Sequence, residues 1–447
     1  MRVFQKQFIR TFGLMSLIVS ASVYAVNGAY DYGFSEITRG MGGAGSALPQ
    51  DSLIAAINPA GMVDVGKRFD LGAMIYFPTI SYTATPATPT APGSIGVAPG
   101  YHDSSVPLFF LPDFGINLPI NQRSAFGVSS YSLGGFGAEF KTTNTATIVP
   151  APAGASQQLQ GPLGNGTLLS SLKQSLTALT YSHQFLKDSS WGVSLLLGLQ
   201  AFENQGIANL SNLSAHPNQL SHQGTDYSAG IGARFGVLFR VLPKIDFAAS
   251  YQPKVAMTKL TEYAGLFPNG GEFDYPAFGN IGLAWHVTNR VALAGDVEKI
   301  WFTDVSNYGA SHDALLNGTC TANQSTCLGG TNGAGFGWSN DIVYKLGVQF
   351  AMTENTTLRG GWSHGNQVLS NQYATENMIT PGALITNVYS VGATQQISKK
   401  DLFNGVISFI PQQRLTSQNL FSGAANQTVT LAARGIGFGL SWSRILD

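Results

Sequence analysis

The stretch YSAGIGARFGVLFR, residues 227–240, decides the fold. Its odd positions are Tyr227, Ala229, Ile231, Ala233, Phe235, Val237 and Phe239. Its even positions are Ser228, Gly230, Gly232, Arg234, Gly236, Leu238 and Arg240. One face is apolar and the other is small or charged, with a period of two, so the segment is a strand between two unlike environments. The pattern recurs at 191–200, 245–255 and 342–350. A large soluble β protein would need charged outer faces over a dry core. Here the face opposite the apolar one is glycine, serine and scattered charge, which suits a lumen whose wall turns its apolar side to lipid.

The connections sharpen this reading. Short polar turns near 121–123, 187–189, 242–244, 288–290, 353–356 and 399–401 alternate with long stretches at 86–105, 142–168, 203–224, 263–274, 305–338, 367–384 and 416–427. Six short turns between seven long loops require fourteen strands. The prediction is an all-β chain, a 14-stranded antiparallel transmembrane β-barrel over residues 69–447, closed so that no strand edge is left unpaired in hydrocarbon.

Composition agrees. Only 11% of the 447 residues are charged, against about 25% in an ordinary globular protein. Such a surface would be sticky in water and comfortable in lipid. The formal net charge is zero, which removes the electrostatic case for nucleic acid as a partner. Residues 1–25 read as a signal peptide: Arg2, Lys6 and Arg10 give a positive start, 14–19 an apolar centre, and Val23 and Ala25 small residues before a cut. No later run of 18 apolar residues makes a transmembrane helix. The expected location is the outer membrane of a Gram-negative bacterium, as a monomer surrounded by lipid.

Ahead of the first strand lies GMGGAGSALPQDSLIAAINPAGM, residues 40–62. Glycines 40, 42, 43 and 45 permit tight bends against an inner wall. Asp51 or Ser52 can cap a short helix over 52–57. Pro59 pushes Asn58 out of helical geometry and ends it. A fourteen-strand barrel leaves a hole unless something fills it, so residues 26–68 are expected to form a hatch inside the barrel. Residues 40–45 also satisfy the G-x-G-x-x-G spacing of dinucleotide sites, but the strand before and the long helix after are missing.

The hatch stretch, with Asp51 ahead of Asn58-Pro59-Ala60, resembles the FadL family of outer-membrane transporters of long-chain fatty acids and aromatic hydrocarbons. Residues 109–140 and 236–255 are similar to strands of that family, and the likeness runs from about residue 29 to 447. The terminal residues Ile445-Leu446-Asp447 depart from a closing aromatic. The resemblance implies passive uptake: a hydrophobic ligand is caught outside, passes to a pocket by the hatch and leaves sideways into the membrane. The third strand carries Ser132, Gly134, Gly135, Phe136 and Gly137. Three glycines in four positions weaken pairing and permit a bend or bulge. In the family this strand is kinked inward beside the hatch, which would make 132–137 a lateral gate.

Apolar loop residues (Ile148, Val149, Leu159, Leu163, Leu168, Leu169, Leu210, Leu213, Leu266 and Phe267) either form a capture groove or pack one another. By alternation Arg234, Lys254, Lys345 and Arg359 face inward, as do Asp70, Asp246, Asp296 and Glu298. The cations either meet a ligand carboxylate or join a network bracing hatch to wall. Cys320 and Cys327 read as a small disulfide loop in an exported chain, worth roughly 2.5 kcal/mol by loop entropy. Seven histidines include no metal-like H-x-x-x-H pair, and neither an enzyme nor a cofactor nor a metal is expected. The competing transport reading is a general water-filled diffusion porin.

Overall fold

A computed structural model describes residues 27–141, 145–150, 154–421 and 426–447. The expected signal peptide lies outside these residues. Fourteen long strands build one closed wall: β1 Arg68–Ala84, β2 Phe109–Asn121, β3 Ser124–Phe140, β4 Leu168–Leu186, β5 Ser189–Gln205, β6 Asp226–Leu242, β7 Ile245–Gln252, β8 Phe278–His286, β9 Val291–Ile300, β10 Asp341–Ala351, β11 Thr356–Gly365, β12 Asn387–Gln396, β13 Asp401–Gln418 and β14 Thr428–Ile445. Each strand pairs antiparallel with its sequence neighbours, and β1 closes on β14 from Arg68↔Ile445 to Ala84↔Val429. The short turns and long loops fall between the strands in the order read from the sequence.

Burial is inverted relative to a soluble protein. Along β6, Tyr227, Ile231 and Phe235 are 37%, 60% and 51% exposed, whereas Ser228 and Arg234 are 1% exposed. Leu71, Phe77, Ile281, Leu346, Phe438 and Leu440 extend the exposed apolar belt around the wall. Left in water, that belt would cost roughly 25 cal/mol per Å²; facing lipid it costs nothing. Closure and the apolar exterior together make this a membrane-spanning wall.

The core sits inside, and residues 27–62 supply much of it, all but Pro49 and Gln50 being buried. Ser35 and Thr38 form a reciprocal cap at the start of the short helix α1, Glu36–Gly40. Asp51 accepts from the Leu53 amide at 2.9 Å and starts a 3-10 helix, Ser52–Ala56. Of the two candidate caps, Asp51 takes the role. Asn58 then does more than end that helix: its Oδ1 accepts from the Ala60 amide at 3.1 Å and caps a second 3-10 helix, Pro59–Asp64. That helix and α1 were not expected from the sequence. In the loop between β9 and β10, Cys320 and Cys327 are disulfide-bonded.

Candidate binding and passage site

Glycines on both sides let the inner segment lie backbone to backbone on the wall. Gly42, at φ +67°, could not carry a Cβ, because it would lie 2.3 Å from the Trp362 amide nitrogen. On the facing strand β11, a Cβ at Gly361 would lie 2.0 Å from the Gly42 nitrogen. The serines of the inner face have a matching role. Short helices leave carbonyls without partners, and wall side chains donate to them: Ser129 Oγ to Ser52 O at 2.6 Å, Ser250 Oγ to Ile57 O at 2.6 Å, and Ser190 Oγ to Ala60 O at 2.9 Å.

Charged contacts tie the same two parts. Asp70 accepts from the Ser52 amide at 2.9 Å and is paired with Arg68 at 2.7 Å. Asp296 accepts from the Gly45 and Ser46 amides, both at 3.0 Å. Asn58 donates to Ser46 O and across to Val237 O at 3.1 Å. Arg39 is the buried hub, bridging Asp31 and Glu36 of its own segment to Asp113 on β2 at 3.1, 2.9 and 3.1 Å. Sequence reasoning missed this cluster. Three charges within nine positions of an otherwise charge-poor chain were the available signal.

The four proposed carboxylate partners are all engaged. Arg234 donates to Ala55 O at 3.0 Å, to Ala56 O, to the Tyr131 hydroxyl at 3.0 Å and to Gln252 at 2.6 Å. Lys345 is buried against Glu298 at 2.6 Å. Arg359 binds Gln349, Thr394 and the inner segment's Gln50 at 3.0, 2.6 and 2.8 Å. Lys254 does not face the lumen. Pro253 cannot donate to the ladder, β7 stops at Gln252, and Lys254 pairs in the following loop with Asp274 at 2.8 Å.

β3 parts from β2 where its glycines begin. Its pairing with β2 ends at Asp113↔Tyr131, while pairing with β4 continues to Phe140↔Leu168. The register slips between Ser132 and Gly134, and Gly134 and Gly135 stand at φ +147° and +144°. From Tyr131 to Ala138 every residue is buried, so the alternation of the lower strand is lost and both faces are covered. The inner segment takes up the freed edge: the Asp31 amide donates to Leu133 O at 2.9 Å, and Tyr30 bridges to Gly134. Ser132 Oγ still reaches Pro112 O at 3.3 Å. A cavity of about 330 Å³ lies at this seam, between Val106–Leu108, Ala138, Glu139 and the start of β4.

Phe136 connects that seam to the outer loops. Its ring lies 5.7 Å from Phe336 and 6.4 Å from Trp338. Trp338 meets Phe302 at 5.2 Å, and Phe302 meets Tyr30 at 6.1 Å. Phe336 continues outward to Phe267 at 6.2 Å. Tyr30, Phe302, Phe336 and Trp338 were not singled out in the sequence, because they come from segments far apart in the chain. Beyond them the loops enclose an apolar cavity of about 60 Å³. Leu163, Leu210, Leu266 and Phe267, four of the loop apolars named above, line it together with Phe336. Asn307, His312, Thr375 and Glu376 also line it and are buried. Burial pushes the Glu376 carboxyl up to about 8 and the His312 imidazole down to about 4.

Among the described residues no group of three or more His, Cys, Asp or Glu could hold a metal. Ser124 and His183 are hydrogen-bonded at 2.9 Å, but no described acidic side chain hydrogen-bonds His183 to complete a catalytic triad.

No protein-family model matches the sequence, and no curated protein matches it. Solved structures do match in fold. The toluene transporter TodX of Pseudomonas putida aligns with a TM-score of 0.65 at 15% identity, over 93% of this chain and 99% of that one. The toluene transporter TbuX of Ralstonia pickettii gives 0.61 at 14%, over 93% and 99%. A Pseudomonas aeruginosa FadL homologue gives 0.62 at 15%, over 96% and 100%. The chain has the fold of the FadL-type barrels.

Proposed function

We propose that this barrel is a monomeric outer-membrane channel for passive uptake of hydrophobic compounds, long-chain fatty acids or aromatic hydrocarbons, with residues 26–68 as its hatch and lateral release at β3. The observation that carries the proposal is the apolar connection from the loop cavity through Phe336, Trp338 and Phe136 to the strand that parts from β2. An apolar cargo gains about 0.8 kcal/mol per buried methylene along such a route. An exit through the seam where β2 and β3 no longer pair spares it an aqueous step. The neighbours named as toluene transporters and as a FadL homologue support the same reading. Arg234 and Arg359 brace hatch to wall and Lys345 pairs with Glu298 within the wall, which favours uncharged cargo over a carboxylate. Catalysis has no part in it.

The test is uptake in cells that lack their own hydrophobic-compound channels. Expression should raise accumulation of a labelled hydrocarbon or fatty acid and leave entry of a labelled sugar unchanged. Equal gains for sugar and hydrocarbon would replace this reading with that of a general diffusion porin.

A further inference from the structure

The outer cavity is apolar, but four polar side chains close part of its wall without partners. Both amide atoms of Asn307, Nδ1 of His312 and Oγ1 of Thr375 lack hydrogen bonds. Neither carboxyl oxygen of Glu376 has a partner on another residue. All four residues are more than nine-tenths buried, at 1%, 6%, 3% and 8% exposure. Unmatched polar atoms at such depth cost about 1–3 kcal/mol each, so six of them on four residues around one cavity mark a place built to receive hydrogen bonds. Among the described residues no lysine or arginine lines it. A carboxylate ligand would therefore find no cation and would face a carboxyl group. A plain hydrocarbon would leave every polar atom unmatched.

We propose that this cavity selects hydrophobic cargo carrying a neutral hydrogen-bonding head, an alcohol, phenol or ketone, over both carboxylates and plain hydrocarbons. At about 60 Å³ it takes the polar end of the molecule, and the apolar body extends along the aromatic residues below. Glu376, kept protonated by burial, supplies a donor, and the neutral His312 ring and the Asn307 amide complete a set matching a hydroxyl or carbonyl. This keeps the hydrophobic uptake reading, on which it rests, and shifts the favoured cargo from fatty acids and plain hydrocarbons to compounds with a neutral polar head.

The experiment compares three ligands of similar length, 1-hexanol, heptane and hexanoate, by calorimetry on the full-length protein in detergent at neutral pH. Expected is binding of 1-hexanol about tenfold or more tighter than of the other two, the scale of one or two buried hydrogen bonds. Glu376→Gln keeps a neutral hydrogen-bonding group and should retain the preference, whereas Glu376→Leu and Asn307→Leu should each shrink it severalfold with heptane binding kept. Equal affinity for hexanol and heptane, or tightest binding of hexanoate, would overturn the proposal. So would a preference unchanged in both leucine variants. Cellular uptake of the same three compounds separates the two claims: entry of all three at equal rates removes the selectivity alone, and entry of none removes the uptake reading itself.

Discussion

At the scale of single residues, the barrel interior is shaped by which positions lack side chains. Gly42 illustrates two separate demands, a positive φ and a wall backbone within 2.3 Å of any added Cβ. Gly66 makes only the first, with φ +71° and nothing within 4 Å. Alanine at Gly66 should therefore cost about 1 kcal/mol of backbone strain. At Gly42 it should cost at least twice that, roughly 2–3 kcal/mol, because the β11 backbone cannot give way without breaking its ladder. Near-ultraviolet circular dichroism melts of the two variants decide this. Equal midpoint shifts would mean that residues 40–43 do not press on the wall. The bending role of these glycines was legible in the sequence, since only glycine suits such turns. Their partners were not, and neither was the Arg39 cluster, whose carboxylate Asp113 lies 74 positions away. Pairing at that distance leaves no local periodicity to read.

At the scale of elements, a period of two is a strong signal wherever a strand has one lipid face and one inner face. That is why β5, β6 and β10 were legible from residue types alone. The signal fails where a strand stops having two unlike sides. β3 loses it above Tyr131, because the inner segment and the loops cover both faces. β7 loses it at Pro253, which is why Lys254 was misplaced. In β3 the glycines remained readable as a weak point, while the contact that fills the freed edge, Tyr30 with Gly134, was not. That contact makes the strand testable. A Cβ at Gly134 would lie 2.1 Å from the Ala29 carbonyl oxygen, so Gly134→Val with Gly135→Val both disfavours the bend and evicts the N-terminal segment from the seam. We expect the double variant to insert into the membrane normally and to lose hydrophobic uptake about tenfold or more, a barrier change of at least ~1.4 kcal/mol. Normal insertion with parental uptake would place the exit elsewhere.

At the scale of the molecule, wall and filling are separable. All fourteen strands are paired in a ring that includes no residue before Arg68. The backbone ladder, which keeps a barrel intact in hydrocarbon, therefore closes without residues 28–66, and their removal frees only the short β3 edge at Leu133 and Gly134 that Tyr30 and Asp31 occupy. Removing them should cost the interior its packing and leave the wall closed. The inner face so exposed carries Asp70, Asp296, Glu298, Arg234 and Lys345, side chains that water would solvate readily once Ser52, Ser46 and the Ala55 and Ala56 carbonyls were gone. A lumen of that kind conducts ions. The intact protein should be nearly silent in planar bilayers, because its interior is filled by buried contacts rather than water, and the truncated barrel should open in large, steady steps. Steady conductance of the intact protein would favour a general diffusion porin. Silence of a correctly inserted truncated barrel would mean that residues 26–68 are not what closes the lumen, and that the loops carrying Phe267, Phe336 and Trp338 seal it by themselves.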